Sequence, residues 1–155
     1  MKKLILGVMV FSSLIYGELL KVGDSIDSFS VSDQFNKIHV VNSKDYKMIL
    51  VANEKDVAGF VNDYLATQDT NFLEKNKTAF ISNISQMPSF VTKLFALPKM
   101  REYKYPLFLI YEENKRFSFE DESLTVIKTQ NDKIISIEYL KAKEGNKKQL
   151  AKIFN

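Results

Sequence analysis

The segment Met48-Ile49-Leu50-Val51-Ala52, followed by Asn53-Glu54-Lys55-Asp56-Val57-Ala58, decides the fold that we predict for this chain of 155 residues. Five consecutive apolar residues are typical of a strand that is covered on both faces. Asp56 suits a helix N-cap, and an apolar stripe follows it at helical spacing: Val57, Phe60, Val61, Tyr64 and Leu65. A buried central strand that leads into an amphipathic helix indicates an α/β protein.

Other strands and helices alternate around this unit. Upstream, a turn at residues 33–37 predicts that the β-branched segment Ile38–Val41 pairs back as an N-terminal β-hairpin. Downstream we predict a buried strand at 78–82, a helix that Pro88 begins and Pro98 ends, a strand at 105–111, a hairpin turning at Asn131-Asp132, and a helix from about Glu144. The helix between the two prolines has an apolar face of Phe90, Val91, Leu94, Phe95 and Leu97. Together these elements predict a three-layer sandwich with a central mixed sheet and helices on both faces.

The first 17 residues have the layout of a signal peptide. Lys2 and Lys3 precede an uncharged stretch, residues 4–17, which at 14 residues is shorter than the roughly 20 needed for a transmembrane helix. We predict cleavage after Gly17, a periplasmic location, one domain at 18–155 and no membrane span after cleavage. An uncleaved anchor is the alternative.

Composition excludes several functions. The sequence has no cysteine, which rules out dithiol exchange, peroxidatic sulfur chemistry and thiolate metal sites. Loss of residues 1–17 lowers the net charge from +3 to +1, since it removes Lys2 and Lys3 and no acid. A nearly neutral domain does not favour a nucleic-acid partner. Two small lysine-rich clusters, at 99–104 and 141–148, are interpreted as solvated faces.

Short motifs occur along the predicted mature chain: Val22-Gly23-Asp24, then Phe29, Val31, Asp33, Gln34 and Asn36-Lys37, and further on Tyr105-Pro106-Leu107. With these motifs the chain resembles redoxin and peroxiredoxin-type domains of the thioredoxin-like superfamily. This resemblance implies a thioredoxin-like fold over nearly the whole mature chain. More narrowly, the chain resembles small exported bacterial proteins of this superfamily that lack cysteine.

The chain departs from this family at the reactive site. The resemblance places that site at Asn53, Glu54, Lys55, Asp56, Val57 and Ala58, where the family's cysteine, threonine and proline are all missing. The family's catalytic roles therefore transfer to no residue. The usual cis-proline has no equivalent at Glu122-Ser123-Leu124, unless Pro106 takes that place in a shifted alignment.

No other residues form a recognisable catalytic or ligand-binding motif. His39 is the only histidine and is predicted to be an outward-facing structural residue, so we predict no metal site. The five glycines form no phosphate-binding loop, and no cofactor is predicted. Asn76-Lys77-Thr78 is a glycosylation sequon preceded by Glu74, but such matches are frequent by chance, and an unshifted intact mass would dismiss it.

The remaining candidate site is an apolar groove for a protein partner. Its predicted residues are Met87, Pro88, Phe90, Tyr103, Tyr105 and Pro106, near the end of the sheet where the reactive site is expected. The leading hypothesis is a non-catalytic binding or accessory protein with a partner in the cell envelope. The alternatives are a thiol-independent oxidoreductase or cofactor-associated redox component, which bound cofactor absorbance would favour, and a structural subunit of an envelope complex.

Overall fold

The computed structural model describes residues 18–155, and the predicted signal peptide lies outside the described residues. The strands are β1 (Phe29–Asp33), β2 (Ile38–Val41), β3 (Met48–Ala52), β4 (Thr78–Asn83), β5 (Phe108–Ile110), β6 (Ser123–Gln130) and β7 (Lys133–Lys141). The α-helices are α1 (Lys55–Leu65), α2 (Phe72–Lys75), α3 (Ser89–Val91), α4 (Leu97–Met100) and α5 (Lys147–Lys152). A π-helical segment, Thr92–Ala96, joins α3 to α4, and a 3-10 turn, Glu144–Asn146, precedes α5.

All seven strands form one mixed sheet in the order β2-β1-β5-β4-β3-β6-β7. Strand β4 runs parallel to both of its neighbours, β3 and β5, whereas the remaining pairs are antiparallel. The predicted α/β sandwich, its N-terminal hairpin and its interior strand at 48–52 are therefore confirmed. No helix in the part of the chain described by the structure is both long and apolar enough to span a membrane.

The interior strands of the sheet are buried on both faces. Every residue of β3 is buried, and its side chains alternate between two apolar clusters. Leu50 packs with Val61 of α1 and Leu150 of α5 on one face, while Ile49 packs with Phe117 and Ile127 on the other. This double burial explains the unbroken apolar run in β3, because neither face of the strand meets water.

The hairpin of β6 and β7 turns at the predicted residues. Asn131 and Asp132 have φ angles of 52° and 63°, which is the left-handed conformation required at both central positions of a type I′ turn. Asparagine and aspartate tolerate this conformation better than most residues. Local turn chemistry thus sets the register of the hairpin.

The helical segment at residues 89–100 differs from the prediction, since Pro98 does not end it. Proline lacks an N–H and its ring clashes with the carbonyl four residues earlier, here that of Leu94. The π-helical turn before Pro98 widens the backbone, and the Leu97 N–H bonds to the Thr92 carbonyl five residues back. The chain therefore continues into α4, with Pro98 in its first turn.

Strand β5 is shorter than predicted, because a buried side chain takes the place of a neighbouring strand and bonds to the backbone just before β5. The Gln34 side chain donates through Nε2 to the Tyr105 carbonyl at 2.8 Å and accepts through Oε1 from the Leu107 N–H at 2.9 Å. The Gln34 carbonyl also accepts from Arg101 Nε at 3.0 Å. One glutamine thus connects the first hairpin, the end of the helical segment and the start of β5.

The first hairpin is closed by the buried carboxylate of Asp33. Its Oδ1 accepts from the N–H groups of Phe35 and Lys37, and its Oδ2 accepts from His39 Nε2 at 2.7 Å. Burial raises the pKa of Asp33, but these hydrogen bonds outweigh burial and hold the pKa below its ordinary value of 3.8. Because the pKa is depressed in the folded protein, this carboxylate stabilises the fold above pH 3.8, and the contribution is lost as the pH falls.

We predict that Asp33→Asn lowers the free energy of unfolding by about 1–2 kcal/mol at pH 7. The amide oxygen can still accept both backbone N–H groups, whereas the charged partner of His39 is lost. Urea unfolding at pH 7 and at about pH 3 measures the difference, which should shrink at the lower pH. The exposed control Asp27→Asn should change stability by less than about 0.5 kcal/mol. If Asp33→Asn lowers the free energy of unfolding equally at both pH values, the proposed role of the Asp33 carboxylate is contradicted.

Candidate functional site

Polar side chains connect the carboxyl ends of the two interior parallel strands. Asn53 follows β3, and its Oδ1 accepts from Nδ2 of Asn83, the last residue of β4, at 2.7 Å. The Asn83 Oδ1 in turn accepts from the N–H of Ser85 at 3.1 Å. The hydroxyl of Ser85 is buried without a hydrogen-bond partner. This edge of the sheet is the place where the redoxin resemblance puts the reactive site.

Glu54 joins the same edge to the start of β6. Its Oε1 accepts from the backbone N–H of Glu122 at 2.8 Å, and Glu122 has a left-handed φ of 53°. Glu54, rather than the predicted Asp56, occupies the N-cap position of α1, although its side chain does not bond to the helix. Asp56 instead lies in the first turn, where a negative charge favours the helix dipole.

The six residues of the predicted reactive-site region have unequal access to solvent. Glu54, Lys55 and Asp56 are exposed, Asn53 is half-buried, and Val57 and Ala58 are packed in the core. The exposed members offer two carboxylates and one ammonium group. They can bind through charge and hydrogen bonds, but none is a thiol or hydroxyl nucleophile.

We predict that Ala58→Cys gives no peroxide or disulfide turnover. Ala58 is only 8% exposed, and burial raises the pKa of a thiol, which keeps the sulfur protonated and unreactive. Peroxide consumption and insulin reduction assays measure the outcome. Turnover above that of the cysteine-free parent would contradict the prediction that no single thiol restores redox chemistry here.

The helical segment at residues 89–100 exposes a large apolar surface that begins just beyond this edge. Phe90, Leu94 and Phe95 are 63%, 67% and 67% exposed, and we call these three residues the exposed apolar face. Phe90 lies in α3, and Leu94 and Phe95 follow four and five positions later in the π-helical segment, about one helical turn further on. Thr92 and Leu97 face the core instead. The prediction that all five apolar residues of this helix form one face is therefore wrong.

The six residues predicted for a partner groove do not come together. Met87 is half-buried and Pro88 and Phe90 are exposed after the carboxyl end of β4. Tyr103, Tyr105 and Pro106 precede β5, and the first two line a separate cavity of about 520 Å³ with Leu65, at the other end of α1. Parallel strands start at one edge of a sheet and end at the other, so the two groups lie at opposite edges.

Tyr105 is a core residue. Its ring stacks on Tyr103 with centroids 5.5 Å apart, and its hydroxyl donates to Oδ1 of Asn62 at 2.7 Å. Burial, with smaller contributions from Tyr103 and Asp63, raises the pKa of Tyr105. Within residues 18–155 every peptide bond is trans, so Pro106 does not take the place of the family's cis-proline.

His39 is not outward-facing as predicted. Its side chain is 20% exposed, bonds to Asp33, and packs against Phe108 with ring centroids 4.7 Å apart and the ring planes tilted by 32°. The structural role assigned to His39 agrees with these contacts. Among the described residues, no group of three or more histidine, cysteine, aspartate or glutamate side chains is arranged to hold a metal ion.

Solved structures of thioredoxin-like proteins share this fold. A putative protein disulfide isomerase from Bacteroides thetaiotaomicron superposes with a TM-score of 0.52 at 16% identity, covering 86% of this chain and 88% of that chain. A SCO1/SenC family lipoprotein from Bacillus anthracis gives 0.51 at 10% identity, covering 88% and 97%. A peroxiredoxin-like protein from Aquifex aeolicus gives 0.50 at 14% identity, covering 90% and 91%.

Neither a protein-family model nor a curated protein matches the sequence. The structural similarities nevertheless define the class: the chain has a thioredoxin-like fold with no cysteine. At these identities the similarity concerns the fold alone, so function has to be argued from this chain's own residues.

Proposed function

We propose that this protein is an exported, non-catalytic thioredoxin-like protein that binds a protein partner in the cell envelope. The exposed apolar face of Phe90, Leu94 and Phe95 carries the proposal. Removing one large apolar side chain from water contributes about 1.5–3 kcal/mol, so a free surface of this kind favours association. The proposed envelope location rests on the signal-peptide layout of residues 1–17.

The composition of the neighbouring edge supports binding over catalysis. The whole chain lacks cysteine, and the edge is closed by the Asn53–Asn83 and Glu54–Glu122 hydrogen bonds. Thiol chemistry is therefore impossible on a fold whose relatives include proteins named as disulfide isomerases and oxidoreductases. We propose that the redox site has been lost and that the adjoining surface is used for recognition.

Two features of the exposed apolar face suit it to protein recognition. Aromatic residues are enriched at the centres of protein interfaces, and two of the three residues here are phenylalanines. The charged residues Lys55 and Asp56, exposed at the start of α1, would form a polar rim on the proposed interface. An apolar centre with a polar rim is the usual composition of a specific interface.

We predict that the triple variant Phe90→Ser/Leu94→Ser/Phe95→Ser loses partner capture in living cells. A photo-crosslinking residue placed at the exposed position Lys93 should give discrete adducts with the parent protein, and the triple variant should reduce their yield at least about tenfold. Its thermal stability should stay close to that of the parent, because all three side chains are largely exposed.

The matched control is Ile38→Ser/Val40→Ser on the edge strand β2, where two apolar side chains are also exposed, at 64% and 51%. This variant should keep full adduct yield. Equal yields from the parent and the triple variant, or equal losses in the triple variant and the control, would overturn the proposal that this face binds the partner.

A further inference from the structure

A cavity of about 980 Å³ lies at the amino ends of β3 and β4, opposite the edge described above. Lysines from three parts of the sequence line it: Lys44 and Lys47, Lys75 and Lys77, and Lys128. They are far apart in the sequence, and the topology brings them together. Lys47 immediately precedes β3 and Lys77 immediately precedes β4, and parallel strands start at the same edge.

The charge of this cavity differs from that of the rest of the molecule. Without Lys2 and Lys3, residues 18–155 retain 20 of the 22 basic side chains and all 19 acidic ones, a net charge of +1. Five lysines and one acid, Asp132, give the cavity lining a charge of +4, so all other residues together carry −3. The positive charge of the described chain is thus concentrated in one concave site, which attracts anions.

Backbone hydrogen bonds fix the lysine-bearing segments next to one another. The Lys47 N–H donates to the Lys77 carbonyl at 2.8 Å, and the Lys47 carbonyl accepts from the Thr129 N–H at 2.9 Å. Lys77 adopts a left-handed φ of 47°, a costly conformation for a lysine. Three positively charged residues, Lys47, Lys77 and Lys128, are therefore held on a rigid frame, and a bound anion would offset their repulsion.

Neighbouring acids do not neutralise these lysines. Within the described part of the chain, no carboxylate oxygen lies within 4.0 Å of the ammonium groups of Lys44, Lys47 and Lys77. Lys75 has an exposed contact of 3.4 Å with Asp69, and the partly exposed Lys128 has a contact of 4.0 Å with Glu138. Exposed pairs of this kind are weak, so all five ammonium groups can bind an anionic ligand.

The cavity lining also contains apolar and polar side chains. Ile135, Ile153 and Phe154 contribute apolar groups, and Ile135 is 51% exposed. Among its polar members, the Asn76 side-chain amide donates to the Phe72 carbonyl at 2.8 Å.

We propose that this cavity binds a phosphate-bearing ligand, whose phosphate oxygens contact the ammonium groups of Lys47, Lys77 and Lys128. Phosphate oxygens are strong acceptors, and lysine ammonium groups bind them through charge-assisted hydrogen bonds. The size and mixed lining of the cavity suit a small ligand with an anionic group and an apolar part. A phosphorylated small molecule and an anionic phospholipid both have this chemistry. The inference is independent of the proposed partner interface.

The test titrates sodium tripolyphosphate into the mature protein by isothermal calorimetry at constant ionic strength. The proposal predicts one site, and the triple variant Lys47→Gln/Lys77→Asn/Lys128→Gln should bind at least tenfold more weakly. Asparagine is chosen at position 77 because it tolerates the left-handed backbone. The control Lys99→Gln/Lys143→Gln/Lys148→Gln removes the same charge from exposed positions outside the cavity, and its affinity should change less than threefold.

Vesicles distinguish the two sources of phosphate. If the protein sediments with phosphatidylglycerol vesicles and not with phosphatidylcholine vesicles, and the triple variant does not sediment, the ligand is a lipid headgroup. If tripolyphosphate binds and neither vesicle does, the ligand is a soluble phosphorylated molecule. The proposal is overturned if the triple variant and the control lose affinity equally for both probes, or if the parent binds neither probe. Unchanged circular dichroism of the variants shows that folding is retained.

Discussion

The rest of the structure depends on the burial of β3 and β4 on both faces. Two adjacent parallel strands in the interior of a sheet must be covered above and below, and the helices α1 and α5 and the loop around Phe117 provide that cover. No side chain within these strands can then meet solvent except at their ends. These two strands therefore reach solvent at two edges, one before them and one after them.

The two edges have opposite character. At the edge where β3 and β4 end, which we call the carboxyl edge, lie the Asn53 and Asn83 amides and the Glu54 carboxylate. The exposed apolar face follows this edge in the sequence. At the edge where β3 and β4 begin, the amino edge, lie the lysines of the cavity, which have few acidic neighbours. One surface suits a protein partner and the other an anionic ligand, and the 5-residue strand β3 separates them. Binding at one edge therefore need not interfere sterically with binding at the other.

The sequence was sufficient for the elements whose signals are local. The apolar run of β3, the stripe of α1 and the Asn131-Asp132 turn all specify their own structure. The π-helical turn before Pro98 was missed because helical periodicity assumes 3.6 residues per turn, although a proline inside a helical pattern is a signal for such a bulge. The bonds of Gln34 depend on contacts about 70 positions away, which no local pattern records.

Local and long-range signals also differ in what they predict about the candidate sites. The resemblance places the reactive site at residues 53–58, but it does not show that Val57 and Ala58 are buried. Nor does it show that Tyr103 lies at the opposite edge of the sheet, near the end of α1. No local pattern predicts the lysine cavity, because its lysines come from three separate segments of the chain. The available signal was a lysine directly before each of two predicted buried strands, which the structure shows to be parallel neighbours.

Hydrogen exchange of the protein in its native complex tests the central claim, that a cysteine-free thioredoxin-like protein functions by binding through its helical segment. Exchange is compared between the protein isolated in complex from its cells and the purified protein alone. Our account predicts slower exchange in residues 89–97 of the complex and no comparable change in β7. Protection confined to other elements, with residues 89–97 unchanged, would contradict it.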